Sequence, residues 1–233
     1  MAHGTQVAYN RAYYAARGQS GSRIAFWFYY RLAARFVKRG SVLDYGCGGG
    51  RLLKYFNTKD YETYGYDTSQ DALEMAKENT VSGHLYGGRD GLAGKSFDLI
   101  CAIHVLEHIE EPFETLQFIR TLLNPRGILM YVVPNISGIG HTLKKNNWIG
   151  YGDPAHVSLY PAAKWIGLTE KAGFKLLSTG TDGLWDVPYI DGIPLFIQRI
   201  IFYPAPAFQV MAGRLILPSR WGESLIAIAQ RCE

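Results

Sequence analysis

The chain is poor in the features that mark several protein classes at once. Cys47, Cys101 and Cys232 are its only cysteines, too few and too scattered for a disulfide framework, and no C-x-x-C pair suggests a zinc site. No metal is expected on that ground. No apolar run approaches the ~20 residues that span a bilayer; the longest candidate, 193–203, is interrupted by Gln198 and Arg199 and followed by Pro204 and Pro206. The net charge is only +4, and no basic run exceeds two residues, as at Lys144-Lys145, so the clustered cationic face of a nucleic-acid binder is missing. Met1–Gln6 lacks the basic and apolar regions of a secretory leader, which predicts a cytoplasmic protein. There is no internal repeat and no low-complexity linker.

What remains is a 233-residue chain, 48% hydrophobic, long enough to bury one full α/β core. A single domain is expected over 1–233. It divides into a helical cap (1–40), a core (41–133) and two covering inserts, 134–160 and 181–221, rich in aromatic residues. In the cap, Ile24, Trp27, Phe28, Leu32 and Phe36 recur near helical spacing and are expected to face the core, with Gly40 ending the helix. Strands are expected at 41–46, 62–67, 83–87, 97–103, 127–133, 174–180 and 224–230, the first five alternating with helices and another helix falling near 161–172. That alternation implies a mostly parallel sheet with helices on both faces.

The most informative stretch is Val42 to Arg51. A strand ends at Asp44, and Gly46, Gly48 and Gly50 follow before a helix begins. Glycine reaches positive φ without steric cost and lets a ligand approach the backbone. The dinucleotide fingerprint G-x-G-x-x-G would need glycine at 51, where Arg51 stands. A carboxylate two residues before the first glycine repels a pyrophosphate but suits an ammonium group. About 20 residues later Asp67 ends a second strand, where nucleoside-binding folds place an acceptor for ribose hydroxyls. Thr68 to Asp71 then caps a helix.

With the run from Phe97 to Ile109 (F-D-L-I-C-A-I-H-V-L-E-H-I) and that from Leu122 to Pro134 (L-L-N-P-R-G-I-L), these landmarks resemble the motifs of class I S-adenosylmethionine-dependent methyltransferases. Arg126 departs from the family's usual glycine. The resemblance is close over about 40–135 and loose elsewhere. It implies a Rossmann-like seven-stranded α/β sheet of order 3-2-1-4-5-7-6, its last strand antiparallel. It also implies S-adenosylmethionine as cofactor. Asp44 would then serve the methionine ammonium; Gly46, Gly48 and Gly50 would bring backbone close; Asp67 would take the ribose hydroxyls and Thr68 lie against adenine. Asp90 would accept from the adenine amino group, the Ala102 carbonyl would meet the ammonium, and Arg23 would pair with the cofactor carboxylate.

Three histidines are candidates for the base that strips a proton from the acceptor: His156 first, then His104 and His108. The aromatic inserts suggest a small-molecule acceptor with an apolar or ring-shaped part, methylated on oxygen before nitrogen or carbon. An Asn/Asp-Pro-Pro-Tyr motif after strand four is missing, which argues against methylation of adenine or glutamine amino groups. A catalytically silent cofactor-binding subunit and aminopropyl transfer stand as the rival readings. The segment 193–203 is expected to be a core or lid helix lining the acceptor pocket, with a dimer surface or peripheral membrane contact left open.

Overall fold

A computed structural model describes residues 24–58, 60–80 and 83–233. Seven strands form one sheet: β1 (Gly40–Tyr45), β2 (Tyr61–Tyr66), β3 (His84–Tyr86), β4 (Phe97–Ile103), β5 (Leu123–Pro134), β6 (Phe174–Gly180) and β7 (Ser224–Arg231). Their order is β3-β2-β1-β4-β5-β7-β6, with β1 to β5 parallel and β7 antiparallel to both neighbours, as the family resemblance implies. Strand β5 starts earlier than its motif suggests, because Leu123 already pairs with Phe97 across an irregularity in β4.

Alternation along the central strands sorts side chains onto two faces. Leu43, Tyr45, Ile100, Ala102, Leu129 and Tyr131 lie on one, packed with residues of α4 (Pro112–Thr121) and α6 (Ala162–Lys171), chiefly Leu116, Ile119 and Trp165. Val42, Leu99, Cys101, Met130 and Val132 lie on the other, against Phe28 and Leu32 of α1 (Ile24–Ala33) and Leu52 and Phe56 of α2 (Arg51–Phe56). Strands buried on both sides read as unbroken apolar runs, which is why β4 and β5 are so legible in sequence. Between β2 and β3 runs α3 (Gln70–Asn79), its first turn closed by Ser69 Oγ accepting from the Ala72 amide.

The cap helix differs from its expected register. It stops at Ala33, not Gly40; Gly40 instead opens β1 at φ 120°. Its buried face is Phe28, Tyr29, Leu32 and Ala33, whereas Ile24 and Phe36 are exposed. The segment 193–203 departs further. Helix α7 (Leu195–Phe202) buries only Gln198, while Leu195, Phe196, Ile200 and Ile201 are exposed, so it is not a core helix. With α8 (Pro204–Ala212) it forms a helical pair held by two fully buried glutamines. Gln198 accepts from the Tyr189 and Ile190 amides and donates to the Ile190 and Ile193 carbonyls. Gln209 accepts from the Ile216 and Leu217 amides and donates to Thr181. Among the described residues no helix is long and apolar enough to cross a membrane.

Candidate active site

The sheet reverses its winding between β1 and β4, the place where open α/β sheets bind ligands. Pairing of β1 with β4 stops at Asp44 and Cys101, yet β4 and β5 continue together to Ile103 and Val132. A crevice therefore opens beside Ala102, which is itself fully buried. The turn after β1 supplies its floor. Gly46, Gly48 and Gly50 sit at φ 77°, 49° and 72°, conformations that side-chain-bearing residues seldom adopt. A Cβ on Gly46 would lie 2.4 Å from Val105, and one on Gly50 would lie 3.0 Å from the Ala76 backbone. The Gly46 and Cys47 amides both donate to the Tyr66 carbonyl, at 2.7 and 2.9 Å, tying the turn to the end of β2.

Two carboxylates flank this turn. Asp44 is 3% exposed, and burial, reinforced by the negative charge of Asp67, pushes its pKa up to about 8. Asp67 receives the Gly48 amide on Oδ2 at 2.8 Å and the Ser69 amide on Oδ1 at 2.9 Å. Its pKa is raised by burial, and those amides hold back the rise. Each of its oxygens keeps a lone pair for a further donor. Thr68 is exposed next to it, and Asp90 is exposed in the short 3-10 turn Arg89–Leu92 after β3. The expected carboxylate partner Arg23 lies outside the described residues. A buried acid, a backbone stripped of Cβ atoms and a second acid one strand away suit a ligand with an ammonium and a ribose diol.

The histidines lie where β4 ends. His104 takes φ 55°, and its Nδ1 is 3.1 Å from Glu107 Oε1. Glu107 is fully buried, and its backbone carbonyl accepts from the Val157 and Ser158 amides at 3.0 and 2.9 Å. That contact docks the 149–160 segment onto the end of β4. His156 and His108 then meet with ring centroids 4.8 Å apart. His156 Nδ1 faces the Gly150 carbonyl at 2.6 Å, and His108 Nδ1 faces the Ala155 carbonyl at 3.2 Å. Burial, with a smaller push from His156, lowers the His108 pKa against the pull of Glu107 and Asp153. The fold thus joins His108 and His156 directly and links His104 to them through Glu107.

Three acids in this region carried no role in the sequence reading. Glu107 sat in full view within the Leu-Glu-His turn, but nothing local says that it is buried. Asp182 is half-buried, and desolvation raises its pKa, partly offset by His104 and by hydrogen bonds from Ser224 and Thr181. Glu223 accepts from the Trp148 indole and the Tyr189 hydroxyl, partners 75 and 34 residues away. No sequence pattern marks contacts so distant.

A family model described as a methyltransferase domain matches residues 21–179, and the chain belongs to that family. The resemblance to S-adenosylmethionine-dependent methyltransferases is borne out with it. Among relatives, the chain is 29% identical over 115 residues to a ubiquinone biosynthesis O-methyltransferase of Haemophilus ducreyi, covering 44% of this chain and 47% of the relative. The chain thus spans about half the length of the curated relatives it matches. Among solved structures it is similar to a chain in a complex of the Haloferax volcanii Trm112 methyltransferase activator, with TM-score 0.69 at 17% identity, covering 98% and 100% of the two chains. It is also similar to the plantazolicin methyltransferase BpumL in complex with a monoazolic desmethylPZN analog and SAH, with TM-score 0.65 at 17% identity, covering 96% and 90%. At those identities the likeness to solved structures is one of fold.

Proposed function

We propose that this protein transfers a methyl group from S-adenosylmethionine to an oxygen of a small-molecule acceptor. The observation that carries the reading is the pairing of buried Asp44 with three positive-φ glycines at the β1–β4 switch point. When bound, S-adenosylmethionine supplies an activated methyl group, so the protein's own work is alignment, exclusion of water and handling of one proton. Asp44 and the Ala102 carbonyl hold the ammonium end, Asp67 the ribose hydroxyls, and Thr68 and Asp90 the adenine side. The curated relatives, being O-methyltransferases, favour oxygen as the acceptor atom.

His156 receives the acceptor proton on Nε2. Its Nδ1 faces a backbone carbonyl, which can only accept, so Nδ1 carries the proton and Nε2 the lone pair. Asp153 Oδ2, 3.9 Å from Nε2, steadies the imidazolium that forms. The test is His156→Ala with a panel of hydroxylated metabolites, following SAH release. Turnover is expected to fall by about 100-fold or more with cofactor affinity nearly unchanged. Undiminished turnover in the variant would take His156 out of the reaction.

A further inference from the structure

We propose that Glu107, His108 and His156 together form a binding site for a divalent first-row cation, Zn2+ or Mn2+. This departs from the expectation of no metal. One ligand atom from each of the three residues lies within 4.8 Å of the others. Ligands held tetrahedrally at about 2.0–2.2 Å stand roughly 3.3–3.6 Å apart, so the widest separation would close by about 1 Å or somewhat more on loading.

Two further observations point the same way. Both imidazoles turn Nδ1 to a backbone carbonyl, Gly150 for His156 and Ala155 for His108. That outer contact fixes the tautomer of metal-binding histidines and leaves Nε2 as the ligand atom. Glu107 presents Oε1 to His104, whereas its Oε2 is buried and has no hydrogen-bond partner among the described residues. A buried carboxylate oxygen without a partner is costly, and a cation would relieve it. Two imidazoles with one carboxylate favour Zn2+ or a similar borderline ion over Mg2+ or Ca2+, and three protein ligands leave a position open.

The role of the ion rests on the methyl-transfer reading, but its binding does not. An acceptor hydroxyl in the open position would have its O–H acidified and its proton passed to solvent. His156 Nε2 would then hold the ion in the loaded protein and take the proton only in the cation-free one, and His156→Ala would lose turnover by about 100-fold or more in either state.

The test uses the full chain stripped with a chelator. Mn2+ is added while the free-ion EPR signal is followed, and Zn2+ is added against a chromophoric chelator. One cation per chain is expected. Glu107→Gln and His156→Gln should each weaken uptake by at least the roughly 10–100-fold that loss of a mere outer partner costs. Both should still bind SAH by calorimetry, while Asp44→Asn should keep the cation and bind SAH at least tenfold more weakly. Circular dichroism checks each fold; should Glu107→Gln unfold, His156→Gln at the less buried position decides. Absence of stoichiometric uptake by the wild type, or unchanged uptake in a folded His156→Gln, would overturn the site. Cation uptake with no SAH binding in the wild type would instead retire the methyl-transfer reading alone.

Discussion

Residues 41–103 and the covering segments 134–160 and 181–221 satisfy their buried polar groups in opposite ways. In the first region the partners are close in sequence or set by the sheet. Asp67 takes amides from Ser69 and Gly48, and the glycine turn hangs from the end of the adjacent strand. In the second region the contacts that dock the segments onto the sheet come from far away. Glu223 clasps Trp148 and Tyr189, and Glu107 receives the amides of Val157 and Ser158. The comparison teaches that the glycine turn is a property of backbone conformation, whereas the covering segments take their place only once distant parts of the chain have docked.

The sharpest way to break this comparison is to remove the clasp. Trp148 is 1% exposed, and its ring fills the space where a Cβ on Gly150 would fall, 2.1 Å away. Trp148→Ala should cost about 3–5 kcal/mol in urea unfolding. It also strands one oxygen of Glu223, whose pKa burial already raises. A loss below about 1 kcal/mol would mean that 134–160 is not integral to the folded unit.

Next in size is the cofactor side, where ligand binding and stability pull apart. Asp44→Asn should lose about 1.5–3 kcal/mol of S-adenosylmethionine binding, the worth of a hydrogen bond to a charged group. Without ligand the same change should stabilise the fold, and the sign follows from linkage. The Asp44 carboxyl rises from 3.8 to about 8 on folding, so its contribution to stability is whole below the unfolded value and is lost as pH climbs through the folded one. The variant's advantage over wild type should therefore grow from pH 5 to pH 8.5 in urea melts. An advantage equal at both pH values would show that burial does not keep Asp44 protonated.

The smallest expected effect concerns α7. Phe196 is 64% exposed, so Phe196→Asp should change stability by no more than about 0.5 kcal/mol. A loss of several kcal/mol would restore the core-helix reading of 193–203 and place this helix with the buried acceptor side.

Several features were legible because they are local. Strand β4 was read at its observed limits, since seven residues from Phe97 to Ile103 are apolar apart from Asp98. Positive φ at Gly46, Gly48 and Gly50 followed from their spacing after a strand. The register of α1 was misread because Tyr29 and Ala33 share the buried stripe, which periodicity alone did not separate from Ile24 and Phe36. Of the alternatives for helix α7, at 193–203, the core one fails, although its apolar residues look like a core segment in sequence. What anchors it is a buried amide, Gln198, paired entirely with backbone groups of 189–193.

The amino-acid order by itself determined the strand succession, the bend that follows β1 and the acids on either side of it. Each depends on backbone preference and on hydrophobic alternation, which act over a few residues. Only the tertiary structure decided that Glu107 is buried, that His108 and His156 face one another and that α7 turns its apolar side outward. Those outcomes depend on which surfaces, dozens of residues apart, exclude water together, and short-range pattern carries no record of that choice.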